Sequence, residues 1–234
     1  PNIHAFEVMT RDLDGLTDAR GLSAKALLAS DIGLVADEVR VILGYQVRAD
    51  LSEEERDTAL YDLFADPIIE TASYDGALLT SFHNPPDLAI KIGFKPGVTD
   101  NSAQAALDGL TTLFSHHSDA EIATTKTYAI WGLPSEKSPM IAGALHNPMI
   151  ERASVASRHD CEKGEWPSLD FPRMNPLPYV KPATVELEVS DDELVSISEK
   201  GLLALNLEEM KAIQAHYRDE GVRDARRELG LPPS

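Results

Sequence analysis

Apolar positions along this chain keep two rhythms in alternation, and the order in which they alternate predicts its elements. Ile3 to Arg11 reads as an extended run. A helix follows over about 18–30, where Leu22, Ala26 and Ala29 recur at i, i+4, i+7 and predict one apolar face, with Gly33 as the stop. Val39 to Val47, rich in Val, Ile and Tyr, predicts a strand. Ser52 with Glu55 is a capping-box pattern opening a second helix that should bury Leu60, Leu63 and Phe64, and Asp66-Pro67 ends it because proline cannot continue a helix. Ile68 to Tyr74, then Asp75-Gly76, then Ala77 to Phe82 reads as a hairpin.

The same order then returns. Leu88 to Lys95 is a strand and Pro96-Gly97 a turn; Ala103, Leu107, Leu110 and Phe114 stripe a helix; Thr124 to Trp131 is a strand; Met140 to Leu145 is a short helix; Met149 to Val155 is the last strand. The wording repeats too. Asp14-Gly15-Leu16-Thr17-Asp18 returns as Pro96-Gly97-Val98-Thr99-Asp100, and Asp66-Pro67-Ile68-Ile69-Glu70 as Asn147-Pro148-Met149-Ile150-Glu151, with Tyr45 and Tyr128 between them. Three landmarks in one order predict an α+β fold of tandem β-α-β-α-β repeats, over 1–83 and 87–156, that pair as a pseudo-dimer with sheets covered by helices.

Residues 157–182 hold Pro167, Pro172, Pro176 and Pro178, a density that predicts an extended tether with little helix or sheet. Trp166, Phe171 and Tyr179 inside it are too many aromatics for a free linker and suggest that it lies along a surface. Residues 183–234 read as a small, mostly helical linker domain. Thr184 to Val189 is a candidate strand; Ser190 with Glu193 caps a helix carrying Leu194 and Ile197. Asn206 with Glu209 caps another, with Leu207, Met210, Ile213 and Tyr217 inward and Gly221 as its end. Opening at Pro1 is expected if an initiator Met was trimmed, and the final Gly-Leu-Pro-Pro-Ser has linker composition.

Composition narrows the functions. A net charge of -18 speaks against nucleic acid and anionic membranes, whose phosphates need Lys and Arg. The first repeat is the acidic one and the second is near neutral, as solvated helix faces on the first or a docked surface on the second would give. No stretch is apolar enough to span a bilayer, no signal peptide is visible, and a lone Cys161 fits a reducing, cytoplasmic setting.

Candidate chemistry is thin. Cys161, with His159 nearby, lacks a Gly-rich elbow or a helix start to activate it and reads as an incidental thiol. His116-His117 and His146 show no metal-ligand spacing with Cys or carboxylate partners, so no metal is expected. Glu53-Glu54-Glu55 reads as an exposed helix start. No phosphate-cradling glycine loop is present. Gly15 and Gly97 each precede Thr and Asp at a helix start; exposed amides there can hold an anion, or the glycine serves the turn and the aspartate the cap. Trp131 and Tyr128 suit a core or interface better than a ligand platform.

The run Ile92-Gly93-Phe94-Lys95-Pro96-Gly97-Val98-Thr99-Asp100-Asn101 resembles the signature of the amino-terminal domain of large phosphoribosylformylglycinamidine synthase (FGAM synthase), itself similar to the small PurS-type subunit of the split enzyme. The Asp/Asn-Pro-Ile/Met-Ile-Glu runs resemble the end-of-repeat segment. Ala204 to Tyr217 is similar to the linker ahead of the synthetase core. The first repeat departs from the pattern, with Arg11-Asp12-Leu13-Asp14 at its turn. What the resemblance implies is a part of a purine-biosynthesis ligase, a glutamine amidotransferase that uses ATP and glutamine to amidate formylglycinamide ribonucleotide. The Ser/Glu/His/Cys/Lys-rich synthetase motif and a glutaminase Cys-His-Glu set are both missing here. No catalytic, cofactor or metal residue is therefore carried over, and ATP and Mg are expected in the synthetase partner.

The expectation is a scaffold whose partners are the synthetase core and the glutaminase, with docking residues Lys95, Pro96 and Gly97 at the second turn, Trp166, Phe171 and Tyr179 in the tether, and Met210 and Tyr217 in the tail. The alternative is a stand-alone sensor holding a small molecule at the Gly15 and Gly97 turns.

Overall fold

Two long strands organise the molecule. In the computed structural model, which describes residues 1–74, 78–174 and 184–231, β2 (Glu38–Arg48) and β5 (Glu121–Trp131) pair antiparallel over their whole length, Glu38 opposite Trp131 and Arg48 opposite Glu121. Each takes equivalent neighbours. β1 (Ile3–Thr10) flanks β2 and β3 (Glu70–Tyr74) flanks β1, while β4 (Leu88–Phe94) flanks β5 and β6 (Glu151–Ser157) flanks β4. The result is one antiparallel sheet in the order β3-β1-β2-β5-β4-β6, in an α+β fold.

Helices cover one face, and they do so crosswise. α1 (Ala19–Ile32) of the first half packs beside α4 (Ser138–Leu145) of the second; α3 (Asn101–Leu113) of the second packs beside the π-helical turn (Ala59–Phe64) that extends α2 (Glu53–Thr58) of the first. One core therefore joins Phe6, Val8, Val47, Leu60 and Phe64 to Ala106 and Leu110 from α3. The other joins Leu88, Ile90, Ile130 and Ile141 to Ala24 and Leu28 from α1. Leu28 and Leu110 are both fully buried, and burying a leucine stabilises by about 1.5–3 kcal/mol. Each half thus draws part of its core from the other.

The predicted face of α1 is corrected. Leu22, Ala26 and Ala29 point to solvent, and Gly21, Ala24 and Leu28 are the buried positions. α1 lies so close to β2 that a Cβ on Gly21 would sit 2.0 Å from the Val39 carbonyl oxygen. Close approach at this one position leaves no room for any side chain, whereas Leu28, two turns on, fills the core. In α3 the expected stripe holds better, with Ala103 and Leu110 buried, Leu107 and Phe114 half-buried, and Ala106 added.

The hairpin expected over 68–82 is also corrected. Its first arm is β3, its Asp75-Gly76 turn lies outside the described residues, and Leu79–Ser81 form a 3₁₀ turn rather than a strand. Leu78 and Leu79 instead bury against the second sheet face, with Met9, Ile42, Ala89, Ala129, Ala156 and Cys161. The tether holds one short helix: Ser157 and Asp160 form a capping box that opens α5 (Arg158–Glu162), and Arg158 binds Asp87 at 2.8 Å and Asn84 at 2.6 Å. Trp166 packs on the same apolar patch, and the Gln46 amide donates to the Leu169 carbonyl at 2.8 Å. Residues 158–169 therefore strap the sheet face opposite α1 and α3.

Both repeats and this strap belong to one compact unit, 1–175; residues 176–234 form another. In the latter, α6 (Asp191–Lys200) packs on α7 (Leu207–Arg218) and α7 on α8 (Glu220–Glu228), with Leu194 of α6 and Met210 of α7 buried. The Ser190–Glu193 and Asn206–Glu209 capping boxes form as expected. The strand expected over 184–189 is irregular backbone, and Gly221 lies inside α8, because Asp219 ends α7 and caps the next helix by accepting from the Val222 amide. The Gln214 amide takes the Leu187 carbonyl at 2.6 Å, which holds the segment before α6 against α7.

Candidate functional site

The two glycine turns carry equivalent machinery. Gly15 and Gly97 adopt φ of 83° and 82°, a left-handed conformation that favours glycine. Beyond each turn an aspartate caps the helix and reaches the sheet. Asp18 accepts from the Gly21 amide at 3.0 Å and from the Val41 amide at 2.9 Å. Asp100 accepts from the Ala103 amide at 2.9 Å, the Thr124 amide at 2.8 Å and the Thr124 hydroxyl at 2.9 Å. The cap reading of these turns holds, because the chain's own carboxylate takes the helix-start amide that an anion would need.

Each turn borders a cleft. The one beside Gly97 measures about 650 Å³ and is lined by Arg48, Lys95, Asp100, Gln104, Phe171 and Met174. The one beside Gly15 measures about 260 Å³, with Arg11, Asp18, Lys25 and Arg40 on its walls. Most of these charges are already engaged. Arg48 pairs with Glu121 and stands 5.9 Å from the Phe171 ring centroid; the Lys95 ammonium donates to the Pro148 carbonyl; Arg40 donates to the Thr10 carbonyl at 2.6 Å and Lys25 to the Asp37 carbonyl at 2.8 Å. Among the described residues, no Ser, Cys or His lines either wall.

The structure gathers three of the sequence-predicted docking residues, Lys95, Gly97 and Phe171, at the larger cleft. Pro96 is exposed at its rim. Met174, where the chain runs on from the strap, comes so near the turn that a Cβ on Gly97 would lie 2.9 Å from its sulfur. Trp166 packs on the second sheet face, away from this group. Met210 is 1% exposed, so its side chain packs the helical unit and leaves no surface for a partner. Tyr217 is half-buried there, with the Arg226 guanidinium 5.1 Å from its ring centroid. Tyr179 lies outside the described residues.

The remaining candidates resolve in the same way. Cys161 is buried on the second sheet face, and burial, with Asp160 adding to it, pushes its thiol up to about 11. Burial likewise raises Tyr45 and Tyr128, which pack against the two helix-side cores. Trp131 meets Phe82 edge-on at 5.0 Å. The expectation that the histidines lack a carboxylate partner is corrected: His116 and His117 both meet Glu55, which is remote in sequence and reaches them because α3 packs on the turn after α2. Local spacing carries no signal for such a meeting. Glu53 and Glu54 remain exposed, as expected of a helix start. His146 turns back on its own helix, toward the Ala142 carbonyl.

No helix among the described residues is long and apolar enough to cross a membrane. No family profile and no curated protein matches this sequence.

Proposed function

We propose that the chain is the non-catalytic assembly portion of phosphoribosylformylglycinamidine synthase, a tandem PurS-like pseudo-dimer with its linker region, acting in the cytoplasm. It positions the glutaminase against the synthetase core so that ammonia passes between them without loss, while ATP and Mg belong to the synthetase. The observation that carries this reading is the repeated end-of-repeat turn. Asp66 accepts from the Ile68 amide at 2.8 Å and receives the Glu70 carboxylate on its own amide at 2.9 Å; Asn147 accepts from the Met149 amide at 3.0 Å and receives Glu151 at 2.7 Å. The segments that suggest the family thus occupy equivalent places in two halves that fold as one body. The exposed Lys95-Pro96-Gly97 rim is the docking surface on this reading.

Mixing the chain with the synthetase core and the glutaminase tests it. Glutamine-dependent synthesis rises and a larger complex appears, while ammonia-dependent synthesis is unchanged. If neither activity nor complex size responds, the scaffold reading is wrong. The cleft of about 650 Å³ beside Gly97 favours a second reading, a stand-alone sensor of amino acids or nucleotides. A thermal shift with one such metabolite and no effect on the synthetase would select it.

A further inference from the structure

Glu55, His116 and His117 converge in a way that neither core packing nor either cleft uses. The Nε2 atoms of His116 and His117 lie 2.8 and 3.2 Å from the same oxygen, Oε1 of Glu55. Donor atoms from the three residues fall within 4.8 Å of one another. Four ligands placed about 2.0–2.1 Å from a tetrahedral zinc ion stand about 3.3–3.4 Å apart, so the two carboxylate contacts open by a few tenths of an ångström and the imidazole nitrogens shift by about an ångström or less to form a coordination shell. We infer that Glu55, His116 and His117 form a binding site for a divalent transition-metal ion of the zinc type, which staples the first half of the sheet domain to the second.

The surroundings suit such a site. The Ser52 amide holds the other carboxylate oxygen, Oε2, at 2.8 Å, which fixes the carboxylate plane and leaves Oε1 to the imidazoles. The His117 loop is set by two backbone bonds: its amide donates to the Phe114 carbonyl at 3.0 Å and its carbonyl accepts from the Ala120 amide at 3.1 Å. The Phe114 ring stands edge-on to both imidazoles, at 6.5 and 6.3 Å, and gives the site an apolar wall. His117 is enclosed whereas His116 is 66% exposed on its side chain, which provides a path of entry. Two imidazoles and one carboxylate suit zinc and its neighbours; magnesium and calcium prefer shells of oxygen. A fourth position is left for water. Glu55 comes from α2 and the histidines from the loop after α3, so the ion bridges the place where the halves exchange helices.

Zinc chloride titrated into tag-free, chelator-treated full-length chain tests the site by calorimetry and thermal melting, with magnesium chloride as the control. One zinc ion binds per chain, the melting temperature rises and EDTA reverses the rise, and cobalt chloride gives the visible bands of a four-coordinate ion. His116→Gln and Glu55→Gln each weaken zinc binding at least about tenfold, since even loss of an outer-shell partner costs about 10–100-fold. Position 116 is exposed, so His116→Gln melts like the parent chain without metal; Glu55→Gln keeps a cap acceptor but gives up its charge, so its zinc-induced shift is read against its own metal-free melt. Absence of one-to-one binding, or unchanged affinity in both variants, overturns the site.

Discussion

Asp18 and Asp100 do the same two things in the two halves: each caps the helix that follows its glycine turn, and each takes the backbone amide of a central strand, at Val41 in one half and Thr124 in the other. Val41 and Thr124 belong to the paired strands β2 and β5, and each aspartate takes its amide beyond the last residue of that strand paired with β1 or β4. The carboxylate thus replaces a missing strand neighbour, which is why this residue returns where the surrounding turn has changed.

Asp18→Ala removes a cap, worth about 0.5–2 kcal/mol, and strands a strand amide, worth about 1–3 kcal/mol. A loss of roughly 2–4 kcal/mol in urea unfolding is expected, with an unchanged m-value. Asp18→Asn keeps an accepting oxygen at the cap and loses less. Asp100→Ala repeats the pattern. A loss confined to the half that carries the substitution, seen by hydrogen exchange, contradicts the shared core.

Leu110→Ala removes a fully buried side chain and costs about 2–5 kcal/mol. Because Leu110 packs with Phe6 and Val8, amide protection falls in β1 of the other half as well as in α3. Protection lost only around α3 counts against exchanged helices.

Gly21→Ala forces a methyl group to within 2.0 Å of a backbone oxygen. The intrinsic helix preference for alanine is worth about 1 kcal/mol in its favour, yet overpacking costs about 1–3 kcal/mol and backbone cannot step aside as a side chain can. The variant is less stable than the parent by urea denaturation; a more stable variant shows that α1 sits farther from β2.

Cys161 carries a pH dependence. Its thiol is raised from 9.0 to about 11 by burial. The contribution is fully present below pH 9, where the thiol is protonated in both folded and unfolded chains. It is lost as the pH climbs from 9 towards 11, because the unfolded chain ionises first. The urea midpoint therefore falls over that window in the parent and falls less in Cys161→Ala. Iodoacetamide at pH 8.5 labels the chain rapidly only after unfolding.

What the sequence could show was local. Capping pairs such as Ser52 with Glu55 sit three residues apart, the glycine turns announce themselves, and strands rich in Val and Ile stand where their alternation puts them. Partner choice was hidden. Nothing in the periodicity of α1 says that it lies close enough to β2 to demand Gly21, and nothing in α3 says that its inner face belongs over Phe6. The covering of the second sheet face was hidden for the same reason. Leu78, Leu79 and Trp166 find Ile42 and Ala129 only once both halves are in place. At the larger cleft, Lys95 and Gly97 were legible from the turn itself, whereas Arg48 and Met174 come from remote parts of the chain.

Two identical subunits related by a dyad must show every surface twice and must change both copies at once. The peptide link between β3 and β4 lifts that obligation. Here one turn has five residues from Arg11 to Gly15 and its counterpart three from Lys95 to Gly97, and among the described residues the chain running on from the strap reaches the second and not the first. Covalent continuity gives this pseudo-symmetric frame two unlike ends, a left and a right.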